Sequence, residues 1–127
     1  MDATTNALNW FEISVTDISR AKKFYEEVFA IKMVETTMMG MKMAFFPADA
    51  MNGKVGGTIV ESGYHKPSVD GAKIYLNANP DLNSALGKVE AAGGKIHMPK
   101  MLIDEQSGHM AFFFDTEGNL VGLHSNQ

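Results

Sequence analysis

The 127-residue chain has no cysteine. A disulfide framework and thiol chemistry are therefore excluded. One tryptophan and four prolines leave no room for a proline-rich or other low-complexity segment. No apolar run approaches the roughly 18 residues that a membrane span needs. Met1 to Ala7 lacks the charged start and apolar centre of a secretory leader, so a cytoplasmic protein with no membrane partner is expected. Excess charge is also scarce: 11 basic and 15 acidic residues give a net charge of −4. So mild a balance argues against a nucleic-acid or polyanion partner. Apolar residues, at 45%, are plentiful enough for one packed domain of ordinary size.

The stretch from Asn9 to Met33 organises the rest. Phe11, Ile13 and Val15 alternate with Glu12, Ser14 and Thr16, the period of a strand with one face buried. Asp17 then offers a carboxylate to cap a helix. Ala21, Phe24, Tyr25, Val28 and Phe29 follow as one apolar stripe at helical spacing. Phe11, Ile13 and Val15 should pack on that helix. Neighbouring strand side chains face opposite ways, so Trp10, Glu12 and Ser14 point away from it. An acid and a tryptophan on that face suggest a cavity.

The pattern comes twice, as self-similarity within the chain. Lys73 to Ala78 reads as a second strand, with Asp81 after it. Leu82, Ala85, Leu86 and Val89 repeat the helical stripe, and Gly93-Gly94 stops it. Met43-Ala44-Phe45-Phe46 returns as Met110-Ala111-Phe112-Phe113. Each copy is followed by a polar turn (residues 47–54 and 115–119) and a short strand. Each half reads strand, helix, strand, strand, strand. The later strands lie near 32–37, 41–46 and 55–61, then 95–102, 109–114 and 120–125. Module one spans about 8–61, the turn-rich connection 62–72 and module two about 73–126. Neither half is large enough for a good core of its own, so residues 1–127 form one domain with helices on one sheet face and a cavity on the other.

Trp10-Phe11-Glu12-Ile13, then Asp17, Arg20-Ala21, Phe24-Tyr25 and Val28-Phe29, resembles the opening of the vicinal oxygen chelate superfamily. That group includes glyoxalase I, bleomycin- and fosfomycin-resistance proteins and extradiol dioxygenases. Val89 to Lys95 and Asp115-Thr116-Glu117-Gly118-Asn119 are similar to its second helix end and final hairpin. The resemblance implies an α+β fold: two βαβββ modules forming a curved eight-stranded mixed sheet, helices outside, cavity on the concave face. It also implies a homodimer. Ala30 stands where the family usually has glycine; if that position needs positive φ, alanine costs roughly 1 kcal/mol.

In metal-dependent members the resemblance implies a His, Glu or Gln ligand from the first and last strand of each module. Here those places hold Trp10, Gly56, Lys73 or Tyr75, and Gly122. Tryptophan and glycine offer no ligand and lysine is charged, so no zinc or nickel set can be assembled. Only Glu12 and His124 are convincing donors on that face. No cofactor is therefore expected, and any divalent metal would begin with this pair.

Trp10, Glu12, Ser14, Thr58, Lys73, Tyr75, Asn77 and His124 all project to the cavity if the strand parity holds. A few polar groups converging in an apolar pocket suit a small-molecule ligand. The first reading is a glyoxalase-like lyase or isomerase that moves a proton next to a carbonyl of a small oxygenated metabolite. Glu12 is its base, and His124 or Tyr75 holds the developing oxyanion. Strands one and eight are expected to be neighbours, which brings Glu12 and His124 into one cavity. Trp10, Ser14, Thr58, Lys73, Tyr75 and Asn77 contact the ligand. The alternative is a protein that binds and sequesters a small molecule, such as an antibiotic, without reaction. A dioxygenase needs a two-His-one-carboxylate iron site that the residues do not supply. The six methionines between Met33 and Met51 read as core filling or as an adaptable ligand lining. His65, His97 and His109 lack spaced partners and read as surface or structural residues.

Overall fold

The computed structural model describes residues 1–127. Module one contains β1 (Trp10–Ser14), α1 (Ile18–Phe29), β2 (Val34–Met38), β3 (Met41–Phe45) and β4 (Gly56–Glu61). Module two contains β5 (Tyr75–Asn77), α2 (Asn83–Leu86), β6 (Lys95–Asp104), β7 (Gly108–Phe114) and β8 (Leu120–Ser125). The eight strands hydrogen-bond as two four-stranded mixed sheets, in the orders β1-β4-β3-β2 and β5-β8-β7-β6, rather than as one continuous sheet. In each, the first strand runs parallel to the last and the other pairs are antiparallel.

The repeat seen in the sequence is a repeat in register. Ala44 faces Ile59 in one module and Ala111 faces Leu123 in the other. All four are wholly buried. Val15 N–H donates to the Val60 carbonyl at 2.9 Å, and Ala78 N–H donates to the His124 carbonyl at 2.8 Å. Val15 and Ala78 thus occupy matching places. Three residues earlier in each strand, Glu12 matches Tyr75.

α1 forms where the apolar stripe predicts it. Asp17 is its N-cap, and its side chain accepts from Arg20 N–H at 3.1 Å. Ala30 ends it in the left-handed region at φ 53°, ψ 47°. Its buried stripe of Ile18, Ala21, Phe24, Tyr25 and Val28 joins a single cluster of 20 buried residues drawn from both modules. Phe24 packs on Phe113 of β7 with ring centres 5.8 Å apart. The second helix is shorter than its stripe suggests. α2 is one turn of four residues, followed by turns to Gly93. Gly87 stands at its C-cap, where the lack of a side chain favours a stop. Asp81 lies just before it, accepting from Asn83 N–H and from Lys100 at 2.9 Å each. β5 is likewise only three residues long.

The turn from Asp115 to Asn119 ties the modules together. Tyr25 donates its phenol proton to Asp115 at 2.7 Å. Asn119 Nδ2 donates to the Ser14 carbonyl at 2.8 Å, and Asn119 Oδ1 accepts from Ser68 N–H at 2.9 Å. Glu117 accepts from the N–H groups of Thr16 and Asp17, both at 2.9 Å, and pairs with Arg20 at 2.7 Å. Burial alone would push the Glu117 carboxyl up. The hydrogen bonds from Arg20, Asp17, Thr116 and Thr16 outweigh it and hold the group at about 2, down from 4.5.

Candidate functional site

β1 alternates as its sequence requires. Ile13 and Val15 are buried, Phe11 packs against the same core, and Trp10, Glu12 and Ser14 take the opposite face. Trp10 pairs with Gly56, Glu12 with Thr58 and Ser14 with Val60. Partners in a parallel ladder share a face, so these six residues lie together. In module two Tyr75 pairs with Gly122 and Asn77 with His124.

Two clefts meet at Glu12. One, of about 550 Å³, is bounded by β1 and β5 and lined by Glu12, Lys73, Tyr75 and Asn77 together with Leu8, Phe11, Val55, Ala72, Ile74 and Leu76. The other, of about 210 Å³, is lined by Glu12, Ser14, Lys66, Ser68 and Asn119 among others. Lys73 Nζ donates to the carbonyls of Val69 and Gly71. Tyr75 packs edge-on against Phe112 with ring centres 5.3 Å apart and keeps about half its surface exposed.

Glu12 has a partner that the sequence did not suggest. Its Oε1 lies 2.8 Å from His65 Nε2. His65 Nδ1 lies 2.7 Å from Ser62 Oγ, which also accepts from Tyr64 N–H at 3.0 Å. His65 sits in the connection between modules, 53 residues from Glu12. Only the folding of that connection over β1 brings them together. The one local signal was the Ser62-x-x-His65 spacing, which allows the turn.

The remaining residues of the predicted set lie elsewhere. His124 is bonded through Nε2 to the Ser107 carbonyl at 2.6 Å and lines neither Glu12 cleft. Thr58 is completely buried, and its Oγ1 has no hydrogen-bond partner. Trp10 turns its ring onto Phe45, 5.8 Å away, and lines a separate cleft with Lys32, Val34 and Lys54. The structure thus gathers Glu12, Lys73, Tyr75 and Asn77 in one cleft, with Ser14 in the adjoining one. Trp10, Thr58 and His124 line neither of these clefts, although Thr58 is the ladder partner of Glu12.

The places at which the resemblance implies metal ligands do not fit a metal here. Trp10 faces Gly56 and Tyr75 faces Gly122 across the parallel pairs. A Cβ built on Gly122 would lie 2.7 Å from the Tyr75 ring, so the aromatic occupies the space a ligand side chain would cross. A Cβ on Gly56 would lie 3.1 Å from Ala48 Cβ and 3.5 Å from the Trp10 ring. No three His, Cys, Asp or Glu side chains converge anywhere in the chain. No step through a metal follows from these residues.

Residues 7–123 match the Glyoxalase/Bleomycin resistance protein/Dioxygenase superfamily. The chain belongs to that superfamily. It is 31% identical over 115 residues to a glyoxylase-like domain-containing protein of Didymella fabae, covering 88% of each. A glyoxalase/bleomycin resistance protein from Albidiferax ferrireducens superposes with TM-score 0.72 at 16% identity, over 96% of this chain and all of that one. A glyoxalase I mutant from Zea mays superposes with TM-score 0.72 at 20% identity. The match covers 94% of this chain and 46% of the maize protein, so the chain spans about half its length. At such identities the superpositions speak for the fold, which hosts several chemistries. No helix of this superfamily member is long and apolar enough to cross a membrane.

Proposed function

We propose that this glyoxalase-superfamily protein is an enzyme of lyase or isomerase type that moves a proton next to a carbonyl of a small oxygenated metabolite. The observation that carries this reading is that Glu12 and Tyr75 line one cleft. They hold matching places in the first strands of the two modules, an acid in one and a phenol in the other. A carboxylate can take a proton beside a carbonyl, and a phenol can donate to the oxyanion that results. Lys73 and Asn77 add donors along the same wall. His124, bonded to Ser107, is not assigned to the oxyanion.

The test is proton exchange in D2O. Small α-hydroxycarbonyl and 1,2-dicarbonyl compounds are incubated with the protein and followed by proton NMR. The expected result is loss of the C–H signal next to the carbonyl for at least one compound. Glu12→Gln should slow that loss about 100-fold or more, the range general-base removal commands.

A second reading, binding without reaction, draws on a neighbouring apolar cleft of about 180 Å³ lined by Phe11, Phe29, Ile31 and Phe46. A compound that binds tightly and returns unexchanged would favour it over catalysis. We also propose a homodimer. Trp10, Val34 and Met38 leave 42%, 70% and 48% of their surface exposed on the face that carries Glu12, as Tyr75 does at 48% in module two. A second copy would cover that apolar area.

A further inference from the structure

We propose that His65 is a positioning residue that holds the Glu12 carboxylate with one oxygen engaged and the other turned to the clefts. Its catalytic meaning rests on the reading of Glu12 as a base, but the structural inference stands apart from it. The run of contacts from Tyr64 to Glu12 carries the argument. Tyr64 N–H donates to Ser62 Oγ, occupying one of its lone pairs and orienting the hydroxyl. The hydroxyl still has a proton to give, and we assign it to His65 Nδ1, 2.7 Å away. A ring that accepts at Nδ1 carries its proton at Nε2, and Nε2 faces Glu12 Oε1 at 2.8 Å. With that assignment the chain from Tyr64 through Ser62 and His65 to Glu12 has every donor matched to an acceptor.

The ring is the better shielded of the two partners. The His65 side chain is 19% exposed and Glu12 37%. A glutamate on a strand facing solvent samples several rotamers. Here one oxygen is engaged by a ring that is itself held at both ends. The strain-free way to keep a base aimed is such a second contact, made by a residue that does not touch the substrate. Because His65 belongs to the connection, that contact also makes the site depend on how residues 62–72 lie across β1. The other charged side chains that border the Glu12 clefts are Lys66 and Lys73. Lys73 is engaged by the Val69 and Gly71 carbonyls, and neither lysine is bonded to Glu12.

Ring-nitrogen and side-chain NMR test this without any substrate. In the wild-type protein His65 should show the Nε2–H form, with a slowly exchanging ring proton. Ser62→Ala removes the acceptor's donor at Nδ1 and should mix the two tautomers. His65→Ala should bring the Glu12 side-chain three-bond couplings, which a single rotamer keeps apart, to rotamer-averaged values. His65→Gln, whose amide can still donate, should keep them apart. If Glu12 keeps single-rotamer couplings in His65→Ala, or if His65 is predominantly the Nδ1–H form, the inference is overturned. With a compound that exchanges in D2O, His65→Ala should lower the exchange rate about tenfold with little change in its concentration dependence, and His65→Gln should recover most of the rate. An unchanged rate in His65→Ala would remove the role in positioning. If no compound exchanges even with wild type, the catalytic reading fails while the NMR result still decides the contact.

Discussion

Tyr25 and Asp115 are joined by a 2.7 Å hydrogen bond across 90 residues of sequence. Tyr25 is wholly buried and Asp115 is 5% exposed. The same carboxylate accepts from Glu117 N–H, Asn119 N–H and Asn119 Nδ2 at 2.8–2.9 Å. Burial first, and then the neighbouring Asp115 carboxylate, push the phenol well above 10. Tyr25→Phe leaves a buried carboxylate short of one donor and should cost about 2 kcal/mol. Denaturant melts check this. In an alkaline absorbance titration, the Tyr25 phenolate should appear only as the chain unfolds. A Tyr25→Phe variant as stable as the parent would show that the bond contributes nothing net.

Glu117 sets the acid limit. Its carboxyl ionises at about 2 in the folded protein against 4.5 ordinarily. A depressed carboxyl favours the folded state above its unfolded value and loses that contribution as pH falls towards the folded one. Stability should therefore drop between pH 4.5 and 2. The drop should be about 2 kcal/mol, since the Arg20 partner is half exposed and its share is screened. Urea melts across that range are the measurement. Glu117→Gln should be less stable at pH 7 and much flatter in acid; a parallel pH dependence in both proteins would assign the acid sensitivity elsewhere.

Ala30 ends α1 at φ 53°, a conformation that disfavours a side chain. Ala30→Gly should therefore stabilise the protein by up to roughly 1 kcal/mol, raising Tm by about 4 °C. A lowered Tm would mean that the glycine's extra freedom in the unfolded chain outweighs relief of the strain.

The proposed dimer has a built-in reporter, because Trp10 is the chain's one tryptophan and sits 42% exposed. Light scattering should give twice the chain mass at micromolar concentration. On dilution, Trp10 emission should move to longer wavelength as the face becomes wet. A monomer mass over a broad concentration range, with constant emission, would count against the dimer.

Much of the architecture is local and so was legible beforehand. Alternation through Phe11, Ile13 and Val15 placed β1 and its faces, because side-chain direction along a strand has period two. The stripe from Ala21 to Phe29, with Asp17 before it, placed α1. The paired Met-Ala-Phe-Phe segments revealed the duplication, and the backbone ladder confirms it at Ala44 and Ala111. Ala30 stood out as a departure from the family pattern, and the structure supplies the positive φ that makes it a strained cap. The absence of ligating residues at Trp10, Gly56 and Gly122 was also plain, since metal affinity depends on residue chemistry before geometry.

Tertiary structure alone decided which polar groups meet. Strand parity says which face a side chain takes but not what is folded over that face. Thr58 and Glu12 share a face, yet Thr58 is sealed from solvent while Glu12 opens onto two clefts. His124 has the same parity as Asn77, but Ser107 draws its ring away. His65 had no spaced partner because its partner lies 53 residues off on β1. The Asp115–Asn119 turn looked like a hairpin and proved to be the clasp between modules. Such contacts come from segments far apart in sequence, and no local periodicity encodes them. The two sheets, the shared core and the path of residues 62–72 had to be in place before Glu12 could acquire either its neighbours or its clefts.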